Sequence, residues 1–96
     1  MIHWISKPTG NCPVQAEGYF LKNYFYFRAR YNRVTIEFSK TEIYTYMDVI
    51  EKSYTLFKTP LPYDAGWLPK WKCRLLIYKG CFKFLIYKIQ SYYGRA

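Results

Sequence analysis

Between Val14 and Phe38 the chain alternates apolar and polar residues with period two, three times over. Val14, Ala16, Gly18 and Phe20 interleave with Gln15, Glu17 and Tyr19. Phe25, Phe27 and Ala29 interleave with Tyr24, Tyr26, Arg28 and Arg30. Val34, Ile36 and Phe38 interleave with Thr35 and Glu37. Successive side chains of a strand point to opposite faces, so this pattern dictates three half-buried strands sharing one apolar side. Lys22-Asn23 and Tyr31-Asn32 fall where two-residue hairpin turns belong, and Asn tolerates positive φ. The first turn sets Glu17 opposite Arg28 and Gly18 opposite Phe27. The second sets Phe27 opposite Ile36 and Phe25 opposite Phe38. Both keep the apolar set together, and a one-residue slip would break that agreement. Gly18 opposite an aromatic ring is a cross-strand device as well as a bulge signal.

The flanking segments are less one-sided. Ser39-Lys-Thr-Glu42 fits a capping box, and Ile43, Met47, Ile50 and Tyr54 fit a helical stripe. Ile43-Tyr-Thr-Tyr and Ser53-Tyr-Thr-Leu-Phe are equally strand-like, so 39–59 reads as a short helix or irregular excursion followed by a strand at 53–58. Pro60, Pro62, Gly66 and Pro69 make 60–69 a loop. Beyond it Trp71, Leu75, Tyr78, Phe82, Leu85, Ile86 and Ile89 recur every three or four residues, one face of a helix. Pro69 suits its first turn. The alternative is a hairpin turned at Lys79-Gly80, since Gly costs a helix about 1 kcal/mol; the helix is the preferred reading.

Ninety-six residues bound the answer to one small domain, residues 1–96, holding one core. A hydrophobic fraction of 51% excludes disorder. The expected fold is α+β: an antiparallel sheet of three to four strands, its Phe25/Phe27/Ile36/Phe38 face covered by the C-terminal helix through Trp71, Leu75, Tyr78 and Phe82. Met1 to Ile5 lacks the charged and apolar regions of a signal peptide. Leu75–Ile89, broken by lysines, falls short of the roughly 20 residues of a transmembrane span.

Little in the sequence points to catalysis. The three cysteines, Cys12, Cys73 and Cys81, read as reduced thiols with no CxxC spacing, and His3 is the lone histidine. A structural zinc site needs about four ligands at motif spacing, so no metal and no cofactor are expected. Glu17 and Glu37 flank the strand of Arg28; a cross-strand ion-pair ladder accounts for them more simply than acid–base work. The chain has no glycine-rich phosphate loop. A non-enzyme is the expectation.

The net charge is +9, and residues 69–96 contribute +7 of it without a single acid. Lys, Asn, Ile, Tyr and Phe fill 40 of 96 positions, the set that AT-rich codons over-supply. That bias explains abundant Lys and Tyr better than it explains the missing acids. A one-sided basic field favours polyanions, anionic membrane or an acidic protein surface. The candidate binding surface is Tyr24, Tyr26, Arg28, Arg30 and Arg33 from the sheet with Lys70, Lys72, Arg74, Lys79 and Lys83 from the helix. Cations neutralise phosphates and exposed aromatics stack on unpaired bases; Tyr and Arg also anchor protein interfaces.

Cys12-Pro-Val-Gln-Ala-Glu-Gly18, Phe25-Tyr-Phe-Arg-Ala-Arg30 and Ala65-Gly-Trp-Leu-Pro69 together resemble a group of short phage and bacterial proteins with a CPVQAEG, FYFRAR and AGWLP-type pattern. The resemblance covers about 11–39 and 64–80, with Cys73, Arg74, Ile77 and Lys79 at positions of small or similar residues. It implies an α+β fold and a mobile-element setting, not an activity. This chain departs from the pattern at Leu21-Lys22, where the group has Asp-Gly, at Tyr31, where it has Gly, and in a helix that is basic and aromatic instead of acidic and Ala-rich. That setting, together with the small size and the charged surface, makes a non-catalytic binding protein in the bacterial host cytoplasm the expected function. Its expected partner is a host protein or nucleoprotein complex, blocked as anti-CRISPR inhibitors block theirs. The alternative is a direct DNA- or RNA-binding module. A Lys-rich helix lying on a membrane surface is a third class.

Overall fold

The computed structural model describes residues 2–10, 13–39, 50–58 and 68–93. Five strands, β1 (His3–Thr9), β2 (Val14–Phe20), β3 (Asn23–Arg30), β4 (Arg33–Ser39) and β5 (Ile50–Lys58), precede one helix, α1 (Lys70–Tyr93). The strands form one antiparallel sheet in the order β1-β2-β3-β4-β5. The fold is α+β, with five strands where three or four are expected from the alternation. β1 escapes the pattern because its pairing with β2 shifts register twice, between Trp4 and Ser6 and between Ser6 and Thr9. Those irregularities and Pro8 suit an edge strand, where unpaired backbone must be kept from pairing further. The stretch 40–49, with most of the capping-box sequence, and 60–67 of the loop lie outside the described residues; Ser39 itself ends β4.

The second hairpin has the expected register, with Phe27 opposite Ile36 and Phe25 opposite Phe38. The first differs. Its turn is Leu21-Lys22, so Gly18 faces Phe25, Glu17 faces Tyr26 and Gln15 faces Arg28. The shift is two residues, an even number, so every side chain keeps its face. Asn23 explains the choice. It is buried, and its amide donates to the Ser39 carbonyl and, at 3.3 Å, to Glu51 Oε1. Glu51 in turn accepts from Lys88 Nζ at 2.8 and 3.0 Å, tying the helix to the sheet. With Asn23 fixed in β3, Leu21 and Lys22 must take φ of 54° and 64°. The left-handed region costs a non-glycine residue about 1–2 kcal/mol. Replacing the pair by Asn-Gly is therefore expected to raise the thermal midpoint by several degrees, read by circular dichroism; a lowered midpoint would contradict this turn.

The helix is as expected; the face it buries is not. Cys73, Leu76, Ile77, Gly80, Cys81 and Phe84 pack on the sheet, whereas Trp71, Leu75, Tyr78 and Phe82 are 64%, 56%, 50% and 61% exposed. Volume decides the matter. The sheet already fills the core from its own side with Phe25, Phe27, Phe38, Ile36 and Val34, all fully buried. A helix laid on such a surface approaches closest where its side chains are small, at Cys73, Gly80 and Cys81, with Leu76, Ile77 and Phe84 filling the space beside them. A β carbon on Gly80 would lie 2.8 Å from Ile36 Cγ2, so glycine permits the contact. Phe84, the one bulky ring on that side, stacks flat on Phe38 with centroids 4.1 Å apart and planes at 1°. Gly18 does the same within the sheet: Trp4 and Phe25 meet edge-on at 6.0 Å from the strands on either side of it. The Cys73 amide donates to the Pro69 carbonyl at 3.1 Å and closes the first helical turn.

Candidate binding surfaces

The sheet has one face under α1 and a second, here called bare, on which no described element packs, and the sequence-derived candidate residues divide between the two sides of the sheet. On the bare face, cations from three adjacent strands stand side by side. Arg30 is directly opposite Arg33, and Arg33 is directly opposite Lys58. Neighbouring strands are about 4.8 Å apart, and like charges directly opposite destabilise a sheet. None of the three is paired with a carboxylate among the described residues. Arg28 stands on the same face two positions from Arg30 along β3. It lies over the Tyr26 ring at 5.1 Å and donates from Nε and Nη2 to the Tyr26 hydroxyl at 3.1 and 3.0 Å. Arg30 likewise lies over Tyr31, at 4.5 Å. The expected Glu17–Arg28 ion pair does not form, because the register puts Gln15 there. Glu17 takes its hydrogen bond from the Tyr24 hydroxyl instead. Tyr24 is buried, 7% exposed, and packs edge-on against Tyr19.

Register also polarises this face. Glu17 and Glu37 flank Tyr26 from β2 and β4, so the middle of the sheet carries the acids. Its β3–β4 turn end carries Arg30, Arg33 and Lys58. Arg30 opposite Arg33 follows directly from the Tyr31-Asn32 turn and is legible in the sequence. Lys58 is not, because it depends on a register shift between β4 and β5 at Val34/Thr35.

The helix cations lie beyond the other face of the sheet. Lys72 Nζ sits 4.8 Å from the Phe57 ring centroid and Lys83 Nζ 5.8 Å from that of Tyr54. Their stems run over β5 aromatics with the charge at the rim, as long basic side chains do. Arg74 and Lys79 stay exposed, while Lys70 and Lys72 are half-buried. The sequence therefore supplies two basic aromatic surfaces back to back, where one was expected.

Among the described residues the thiols are buried and the histidine is exposed and lies apart from them. Cys73 and Cys81 are free and buried under α1. Burial raises both thiols, Cys81 to about 12. His3 faces Tyr19 on the bare side, so the sheet separates it from both. Among the described residues no three of His, Cys, Asp or Glu gather as metal ligands would, and no helix is long and apolar enough to cross a membrane.

The thiols set an alkaline limit. A thiol held protonated by burial contributes its stability in full below the unfolded value of 9.0 and loses it as pH climbs toward the folded value of about 12. Stability is expected to fall across that interval in an alkaline urea titration, and Cys81→Ala should flatten the decline. A pH-independent midpoint from 9 to 12 would contradict the burial of Cys81.

Comparison of the chain with protein-family models, with curated proteins and with solved structures finds no match.

Proposed function

We propose that the chain is a non-catalytic binding protein that engages an anionic partner through the bare sheet face. One observation carries this reading: Arg30, Arg33 and Lys58 are held side by side on three strands without a carboxylate among the described residues. Such a row works against the sheet, so its use lies in what it neutralises. The mobile-element setting implied by the sequence resemblance makes a host defence nucleoprotein complex the target that we propose. The chain would inhibit it by occupying its surface. Arg28 on Tyr26 and Arg30 on Tyr31 support the second reading, direct binding of DNA or RNA, since cation–aromatic platforms stack on unpaired bases.

Arg33→Thr separates binding from folding. It relieves two like-charge contacts, so stability should rise by about 0.2–1 kcal/mol per contact. Binding should fall at the same time. Retention of partners from a bacterial lysate, with and without nuclease, and gel shifts with single- and double-stranded nucleic acid across a salt series read the second effect. A partner retained after nuclease and lost with Arg33→Thr supports the inhibitor. A gel shift whose salt slope drops by about one with Arg33→Thr supports the nucleic-acid reading. Binding unchanged by Arg33→Thr in both assays would remove this face from the function.

A further inference from the structure

The helix buries one stripe and leaves a second, larger one in solvent. From Trp71 through Leu75, Tyr78, Phe82 and Leu85 to Ile89 the spacing alternates four and three. All but the half-buried Leu85 are exposed. At about 100° per residue they share an arc of about 80°, centred away from the sheet. A monomer has no folding reason to keep so continuous an apolar seam in water; such a patch marks an interface. The alternation of four and three is the seam of a helix meeting another helix.

The borders of the seam say which helix. Lys72 and Lys79 line one side and Arg74 the other, with no acid anywhere on α1. A second copy packed in parallel would set Arg74 of one chain against Lys79 of the other, and an antiparallel copy would also pair cation with cation. An acidic helix meets attraction on both borders. Alongside the seam runs a groove of about 400 Å³ between Tyr78, Phe82 and Leu85 of α1 and Ile2, Trp4 and Phe20 of the sheet edge. A groove admits side chains projecting from a docked helix, which a bilayer surface does not supply.

We propose that the solvent face of α1 docks an amphipathic helix of a partner protein, apolar along one face and rich in Asp and Glu on its borders. This surface lies across the sheet from the Arg30–Arg33–Lys58 row, so the two can be occupied together.

The test uses the full chain and two labelled synthetic helical peptides with the same Leu seam, one bordered by Glu and one by Lys. The Glu peptide should bind, and Phe82→Asp and Lys79→Glu should each weaken it about tenfold or more. Both residues are exposed, so the melting curves of the two variants should match that of the parent chain. Arg33→Thr should leave peptide binding untouched, which keeps this result independent of the sheet-face reading. Four outcomes would overturn the proposal: no binding of the Glu peptide; equal binding of the Lys peptide; capture by phosphatidylglycerol-containing vesicles with no peptide binding; or a dimer in sedimentation that Phe82→Asp dissolves.

Discussion

Phe84→Ala is expected to cost about 3–5 kcal/mol, the range for deleting a fully buried ring. Phe84 is fully buried and lies flat on Phe38, with Tyr87 5.9 Å away on the same helix. Removing it leaves a cavity against a sheet whose other rings are fixed by their own strands and cannot collapse into it. Phe82→Ala, two residues earlier and 61% exposed, should stay within about 0.5 kcal/mol. Urea denaturation of the two variants measures the contrast. A larger loss for Phe82→Ala would mean that the helix is turned the other way round.

Gly80→Val should be nearly as damaging, for the opposite reason. Ile36 Cγ2 would sit 2.8 Å from the new β carbon, with Ile36 Cδ1 and Leu56 Cδ1 each at 3.4 Å. Ile36 is itself fully buried, so it has nowhere to retreat. Overpacking of this kind costs about 1–3 kcal/mol, and the branched Val, with two methyls where one already crowds, belongs at the upper end. Helix propensity runs the other way, since glycine is the poorer helix former by somewhat under 1 kcal/mol; it offsets only part of the loss. In an Ile36→Ala background the further loss from Gly80→Val should be smaller than in the parent chain, because the two residues are in contact and their effects couple. Equal losses with and without Ile36→Ala would contradict the close approach of α1 to β4.

What the sequence makes legible follows from how strongly each element is specified locally. β2, β3 and β4 announce themselves because a sheet with one bare face must alternate, and each strand repeats the signal. The first turn is misplaced by one position because Asn23 looks like a turn residue. Its amide is needed inside, by the Ser39 carbonyl and Glu51, a demand that arises only once β5 is in place. β1 carries too irregular a pairing to leave a period. On α1 the sequence shows two apolar stripes, Trp71, Leu75, Tyr78 and Phe82 on one and Cys73, Leu76, Ile77, Gly80, Cys81 and Phe84 on the other, and the large rings of the first draw the eye to the wrong one. The choice between them turns on thickness, because the aromatic side chains of the sheet leave room only for the thinner stripe. The candidate binding residues are legible as types, since the register of the second hairpin brings Arg30 to Arg33. Their division between two sides is not, because it depends on which side of the sheet the helix covers.

The orientation of α1 underlies both the outward seam and the two-sided arrangement, and native-state thiol labelling tests it most directly. In a Cys12→Ser background, Leu75→Cys adds a thiol on the outward seam of the helix that holds Cys73 and Cys81 on its buried side. The Leu75→Cys thiol should be modified at the rate of a small free thiol. Cys73 and Cys81 should react only as the protein unfolds, in step with urea. Rapid modification of Cys73 or Cys81 in the native protein, with the thiol of Leu75→Cys protected, would contradict it.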